Sequence, residues 1–197
     1  ISEVTGDHLS GKSNSDVTHF YSVQPTVNYF PLGITHFFNN LYAVKLSSGS
    51  SLSEIHSSDL QQFGDKLTVL WMSDNSIEVL EADLFQFNPN LEYIGFSSNK
   101  LKHIDDGAFR GLEKLKHLEL QGGNPCINKM ASTRSSVIAL ISEAELKCKN
   151  ANVMTKRREE PKLLFKELNE KLSQQSLTIQ AQLTAMKAAS QAQLDEM

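Results

Sequence analysis

Residues that could do chemistry are few in this chain, and they do not gather. The six histidines are His8, His19, His36, His56, His103 and His117, and none forms an H-x-x-x-H or H-E-x-x-H pattern. Two cysteines, Cys126 and Cys148, are too few for a zinc cluster without histidines spaced to join them. No G-x-S-x-G, phosphate-binding glycine loop or dinucleotide fingerprint occurs, since Gly6, Gly11 and Gly33 fit none of them. The acidic pairs Asp105/Asp106 and Glu159/Glu160 read as solvated surface. No cofactor or metal is expected, and no residue nominates a reaction. What stands out is a contact chemistry: one tryptophan, Trp71, with Tyr93 placed 22 residues on. Tryptophan and tyrosine dominate interface energetics when they are exposed.

The elements that must position those two side chains are repetitive. From Leu67 the chain reads LTVLWMSDNSIEVLEADLFQFNPN, then LEYIGFSSNKLKHIDDGAFRGLEK, then LKHLEL, so the register returns at Leu67, Leu91 and Leu115, every 24 residues. The pattern L-x-x-L-x-L-x-x-N-x-L-x-x-L, with a phenylalanine late in each unit, is that of leucine-rich repeats. The segment L-x-x-L-x-L predicts a short strand whose leucines point inward while the residues between them point out. One repeat has too little apolar area to close a core, so stability must come from stacking on neighbours. Leu67, Leu70, Met72, Ile77, Leu80 and Phe85 correspond to Leu91, Ile94, Phe96, Leu101, Ile104 and Phe109. Asn75 and Asn99 mark the turn away from each strand, where a carboxamide can both donate to and accept from buried backbone. Phe85 and Phe109 are expected to stack as a spine behind the strands.

Earlier repeats are less regular. Val17, Phe20, Val27 and Phe30 fill framework positions, while Ser22 and Pro25 depart from them. The repeat from Leu41 spans 26 residues, with Gly49 in place of the asparagine and Leu52, Ile55 and Leu60 displaced by one. Ile1 and Val4 resemble the tail of a further repeat, so the chain reads as a mature form or a fragment. After the last strand, Gly122, Gly123, Asn124 and Pro125 break the pattern. SSVIALISEAELKC then carries Val137, Ile138, Leu140, Ile141 and Leu146 on a helical period, with Ser135 or Ser136 as the expected N-cap. This predicts a capping helix over the open end of the stack. A Cys126–Cys148 bond would pin that cap; the alternative is two buried free thiols. KNANVMTKRRE reads as a polar linker. Beyond it Phe165, Leu172, Ile179 and Met186 recur every seven residues, with Leu168 and Leu183 among the partner positions. That helix is either a short coiled coil or an amphipathic helix docked elsewhere, because its apolar stripe needs a partner.

The expected architecture is therefore α/β: a short leucine-rich repeat solenoid with a curved parallel sheet, a helical C-terminal cap and a long C-terminal helix. Its expected parts are repeats over 1–125, a Cys-bounded cap over 126–148, a linker over 149–160 and the amphipathic helix over 161–197. In such a solenoid the outward strand positions line a concave sheet suited to binding a protein or a glycan. Counted from each first leucine, the third positions are His19, Ala43, Val69, Tyr93 and His117, and the fifth are Tyr21, Lys45, Trp71, Gly95 and Glu119. Trp71, Tyr93, His117, Lys45 and Glu119 are the candidate partner-binding residues. The bland alternative is that Trp71 covers a flat sheet or packs on the terminal helix. The formal net charge of −4 gives no footprint for nucleic acid, and no run long and apolar enough to span a membrane occurs.

YFPLGITHFFNNL, DLFQFNPNLEYI and the GGNPC stop resemble the secreted leucine-rich repeat proteins abundant in flies and mosquitoes. One branch, the mosquito leucine-rich repeat immune proteins or LRIM family, is similar in its domain order of repeats, Cys-bearing cap and coiled coil. The resemblance covers residues 17–148. It implies an extracellular, non-enzymatic role in innate immunity, with protein ligands on the repeats and association through residues 161–197. An intracellular repeat scaffold and a detached receptor ectodomain are the rival readings of the same fold.

Overall fold

The computed structural model describes residues 5–23, 27–47, 52–149, 168–176 and 179–180. Expectations for Ile1, Val4, Gly49, most of the linker and most of the terminal helix lie outside the described residues. The chain divides into two compact units, Ile1–Asn150 and Ala151–Met197.

The first unit is built on one sheet of short strands. These are β1 (His19–Ser22), β2 (Ala43–Leu46), β3 (Val69–Trp71), β5 (Tyr93–Gly95), β7 (His117–Glu119) and β8 (Met130–Ala131). They lie in that spatial order. The first five run parallel, and β8 closes the row antiparallel to β7. A second, two-stranded parallel sheet pairs β4 (Val79–Leu80) with β6 (His103–Ile104). The repeat length sets the register: Leu70 pairs with Ile94 and Ile94 with Leu118, one repeat apart each time. The longer Leu41 repeat keeps register too, Val44 pairing with Leu70, so its surplus residues are taken up outside the strands.

Alternation along each strand sends one set of side chains into the core. Leu67, Leu70, Met72, Ile77, Leu80 and Phe85 are buried, as are their counterparts Leu91, Ile94, Phe96, Leu101, Ile104 and Phe109. Phe85 and Phe109 stack with centroids 5.8 Å apart and planes 28° apart, forming the expected spine. Asn99 Nδ2 donates to the carbonyls of Met72, Phe96 and Ser97 at 2.8, 3.2 and 3.2 Å, and its Oδ1 accepts from the Ile77 N–H at 3.0 Å. Asn75 Nδ2 donates to Leu46, Met72 and Ser73 in the same way. Each amide thus ties its own turn to the preceding repeat and satisfies backbone groups that would otherwise be buried without partners.

Asn124 is a third member of this ladder and corrects the reading of residues 122–125 as a simple break. Its Nδ2 donates to Phe96 and Leu120 carbonyls at 2.9 and 3.0 Å, and its Oδ1 accepts from the Leu101 N–H at 3.1 Å. The asparagine stands one position later than in the regular repeats, and the turn needs glycine to reach it. At Gly122, with φ +81°, a Cβ would meet the Ser98 backbone nitrogen at 2.8 Å.

Cys126 and Cys148 form a disulfide. The Cys126 N–H donates to the Leu101 carbonyl and the Ile104 N–H to the Cys148 carbonyl, so both ends of the bridge are stitched to the last regular repeat. Bridging two positions 22 residues apart in the chain contributes about 3 kcal/mol by restricting the unfolded chain. Between the cysteines, α1 being the short helix Ser57–Gln61, runs α2 (Arg134–Lys147), with Val137, Leu140 and Ala144 buried against the stack. Its N-cap is Thr133, not Ser135 or Ser136. Thr133 Oγ1 accepts from the Ser136 N–H at 3.3 Å, so the helix starts two to three residues earlier than the serines suggested.

In the second unit, residues 168–176 and 179–180 are helical. Leu168, Leu172 and Ile179 lie exposed along them.

Candidate binding face

The outward row of the main sheet follows from the same register that aligns the core. His19, Ala43, Val69, Tyr93 and His117 are paired neighbours across five strands, as are Tyr21, Lys45, Trp71, Gly95 and Glu119. Trp71 and Tyr93 stack with centroids 5.2 Å apart and planes 25° apart. Tyr93 continues to His117 at 6.0 Å. On the other side of Trp71, the Lys45 ammonium stands 4.4 Å from the indole centroid and 4.8 Å from the Tyr21 ring. The sequence-predicted residues Lys45, Trp71, Tyr93 and His117 therefore form one continuous chain of contacts across two neighbouring register rows, and Glu119 flanks its far end. Trp71 is half-buried by its own row.

Gly95 makes this geometry possible by leaving room for the Tyr93 ring, not for its pairing partner Trp71. A Cβ at Gly95 would sit 3.2 Å from Tyr93 Cε1 and 3.4 Å from both the Tyr93 and Ser73 hydroxyls. The tyrosine lies down over the glycine and so meets the indole face to face. Its hydroxyl, with those of Ser73 and Ser97, is buried without a hydrogen-bond partner among the described residues. Burial raises the Tyr93 phenol far above its ordinary pKa, and the neighbouring Glu119 carboxylate adds to the rise.

Tyr21 was not among the candidates, though its signal was in the chain. A lysine flanked on adjacent strands of the same row by two aromatics is the arrangement that places an ammonium over ring faces, worth about 0.5–1 kcal/mol at an exposed site. The row holds no nucleophile beside a base. What it offers is ring surface, one cation and one carboxylate. Among the described residues, no three of His, Cys, Asp and Glu converge as metal ligands, and no helix is long and apolar enough to cross a membrane.

Residues 65–125 match the family model described as leucine rich repeat, and the match spans the regular repeats and the turn before the cap. The architecture is thus an α/β leucine-rich repeat solenoid, as the strand register independently requires. No curated protein matches the chain. Among solved structures, the chain is similar to one in a complex described as Toll–Spatzle, "a molecular hub in Drosophila development and innate immunity". Identity is 30% over 46% of this chain, with a TM-score of 0.42, and the matched part spans 12% of that protein.

Proposed function

We propose that this chain is a non-enzymatic, extracellular protein-binding module whose outward sheet face makes the contact. The observation that carries the reading is the row itself: Trp71 and Tyr93 stacked at 5.2 Å with a lysine ammonium held against the indole. Stacking of the repeats accounts for the leucines, asparagines and phenylalanines, but it does not require a tryptophan on the solvent side. Rigid aromatic surface with a fixed charge is the composition of interface hot spots. The Cys126–Cys148 bridge supports an oxidising compartment. The resemblance to the mosquito immune repeats favours defence as the setting. Replacing Trp71 and Tyr93 by Ser tests the reading: melting curves should stay close to those of the parent while partner affinity drops by about 2 kcal/mol or more, as at other hot spots. Undiminished affinity in a folded variant would remove this face from consideration.

The exposed stripe Leu168, Leu172 and Ile179 supports pairing through residues 161–197, joined by a linker over 149–160 to a cap over 126–148. Sedimentation of the full chain against a form ending at residue 155 checks this. Equal association states for the two would sink it.

A further inference from the structure

The outward row is polar at both ends, and neither charge is neutralised by the repeats. Several other cations of the first unit sit on carboxylates: Lys102 on Glu78 at 2.6 Å, Lys116 on Glu92 at 2.9 Å, Lys149 on Asp106 at 3.0 Å and Arg110 on Asp83 at 3.4 Å. Lys45 has no carboxylate within ion-pair distance among the described residues; two aromatic rings hold it in place instead. Rings fix the position of an ammonium while leaving its charge intact. At the other end, Glu119 has no cation within that distance among the described residues, and its near neighbour is the uncharged Tyr93 phenol. Lys45, Trp71, Gly95 and Glu119 occupy four successive strands at one register position. Three strand spacings put the two charges about 14 Å apart. That exceeds the Debye length of about 8 Å at physiological salt, so the two charges barely feel each other.

From this arrangement, and resting on the protein-binding role of the same face, we propose that the row recognises an extended segment of a protein partner carrying an acidic and a basic side chain four residues apart. An extended chain rises about 3.4 Å per residue, so side chains at i and i+4 are about 14 Å apart and on the same side. The acid sits over Lys45 and the base over Glu119. The residue midway between them, also on that side, rests on the Trp71–Tyr93 rings and is apolar. The segment runs across the strands, and either chain direction satisfies the contacts, giving acid-x-apolar-x-base or base-x-apolar-x-acid. Apolar surface supplies contact area while the two charges fix register and exclude wrong partners.

The test is selection of a random seven-residue peptide library displayed on phage against the full chain, followed by calorimetry on the synthetic winners. The expected winners carry opposite charges four apart around an apolar residue, and they lose binding to W71S. Their affinity falls about tenfold on K45E. Repeating the selection on K45E should return base-x-apolar-x-base, and on E119K acid-x-apolar-x-acid, with K45Q as a milder control and melting curves confirming folding. Winners that need Trp71 but show no charge pair, or a pair that ignores both reversals, overturn this inference and leave the binding face standing. Winners indifferent to W71S, or no winners at all, overturn both.

Discussion

Leu70 and Trp71 are adjacent in the chain, yet they answer to different demands. On the inward side, the row through Leu70 is Phe20, Val44, Leu70, Ile94 and Leu118, apolar in every strand. On the outward side, the row through Trp71 is Tyr21, Lys45, Trp71, Gly95 and Glu119, different in every strand. Stacking translates one repeat onto the next, so whatever is buried must fit copies of itself. The outward side has no such requirement, and its residues need suit only their immediate neighbours. Sameness on one side and difference on the other separates what stability requires from what is left free for recognition, within strands of three or four residues.

Three perturbations would break or sharpen that separation. Ile94→Ala should cost the most, about 2–5 kcal/mol, because it removes buried volume at the centre of the stack. Denaturant unfolding measures this, and the folded fraction should bind a partner as before. Asn124→Ala should cost about 2 kcal/mol, since the Leu101 N–H would lose its acceptor in a buried site. The same measurement with the disulfide intact isolates the ladder from the bridge. The smallest effect belongs to the outward side and appears only in alkali. The folded Tyr93 phenol has a raised pKa, so the fold favours the protonated form. Its contribution is fully present below the unfolded pKa of about 10 and is lost as pH rises beyond that. Unfolding midpoints should therefore fall more steeply with pH in the parent than in Tyr93→Phe. Identical slopes above about pH 10 would show that the phenol is not sealed beneath the row.

The 24-residue spacing of Leu67, Leu91 and Leu115 made the sheet, its register and the core legible from the chain alone, because identical spacing leaves one way to align strands. The Phe85–Phe109 spine and the diagonal placement of Tyr93 beside Trp71 follow from the same spacing. Asn124 was hidden because it is one residue late; the shift is absorbed by two glycines with positive φ, and spacing does not display backbone conformation. The strands β4, β6 and β8 are two residues long, too short to leave a period. Thr133 outcompeted the two serines because its side chain and that of Ser136 exchange bonds with each other's backbone. The membership of the outward row was readable, but its internal contacts were not. Whether Lys45 turns toward rings or toward a carboxylate is a matter of rotamers, which alternation does not fix.

The stacked indole has one more consequence. Trp71 is the only tryptophan in the chain. The long-wavelength emission of the whole protein therefore originates at one point, between an ammonium and a phenol ring. An occupant that displaces water from this point, or draws Lys45 off the indole, changes the colour and brightness of that emission without any added label. The face that would bind a partner is also the protein's own optical reporter of being bound.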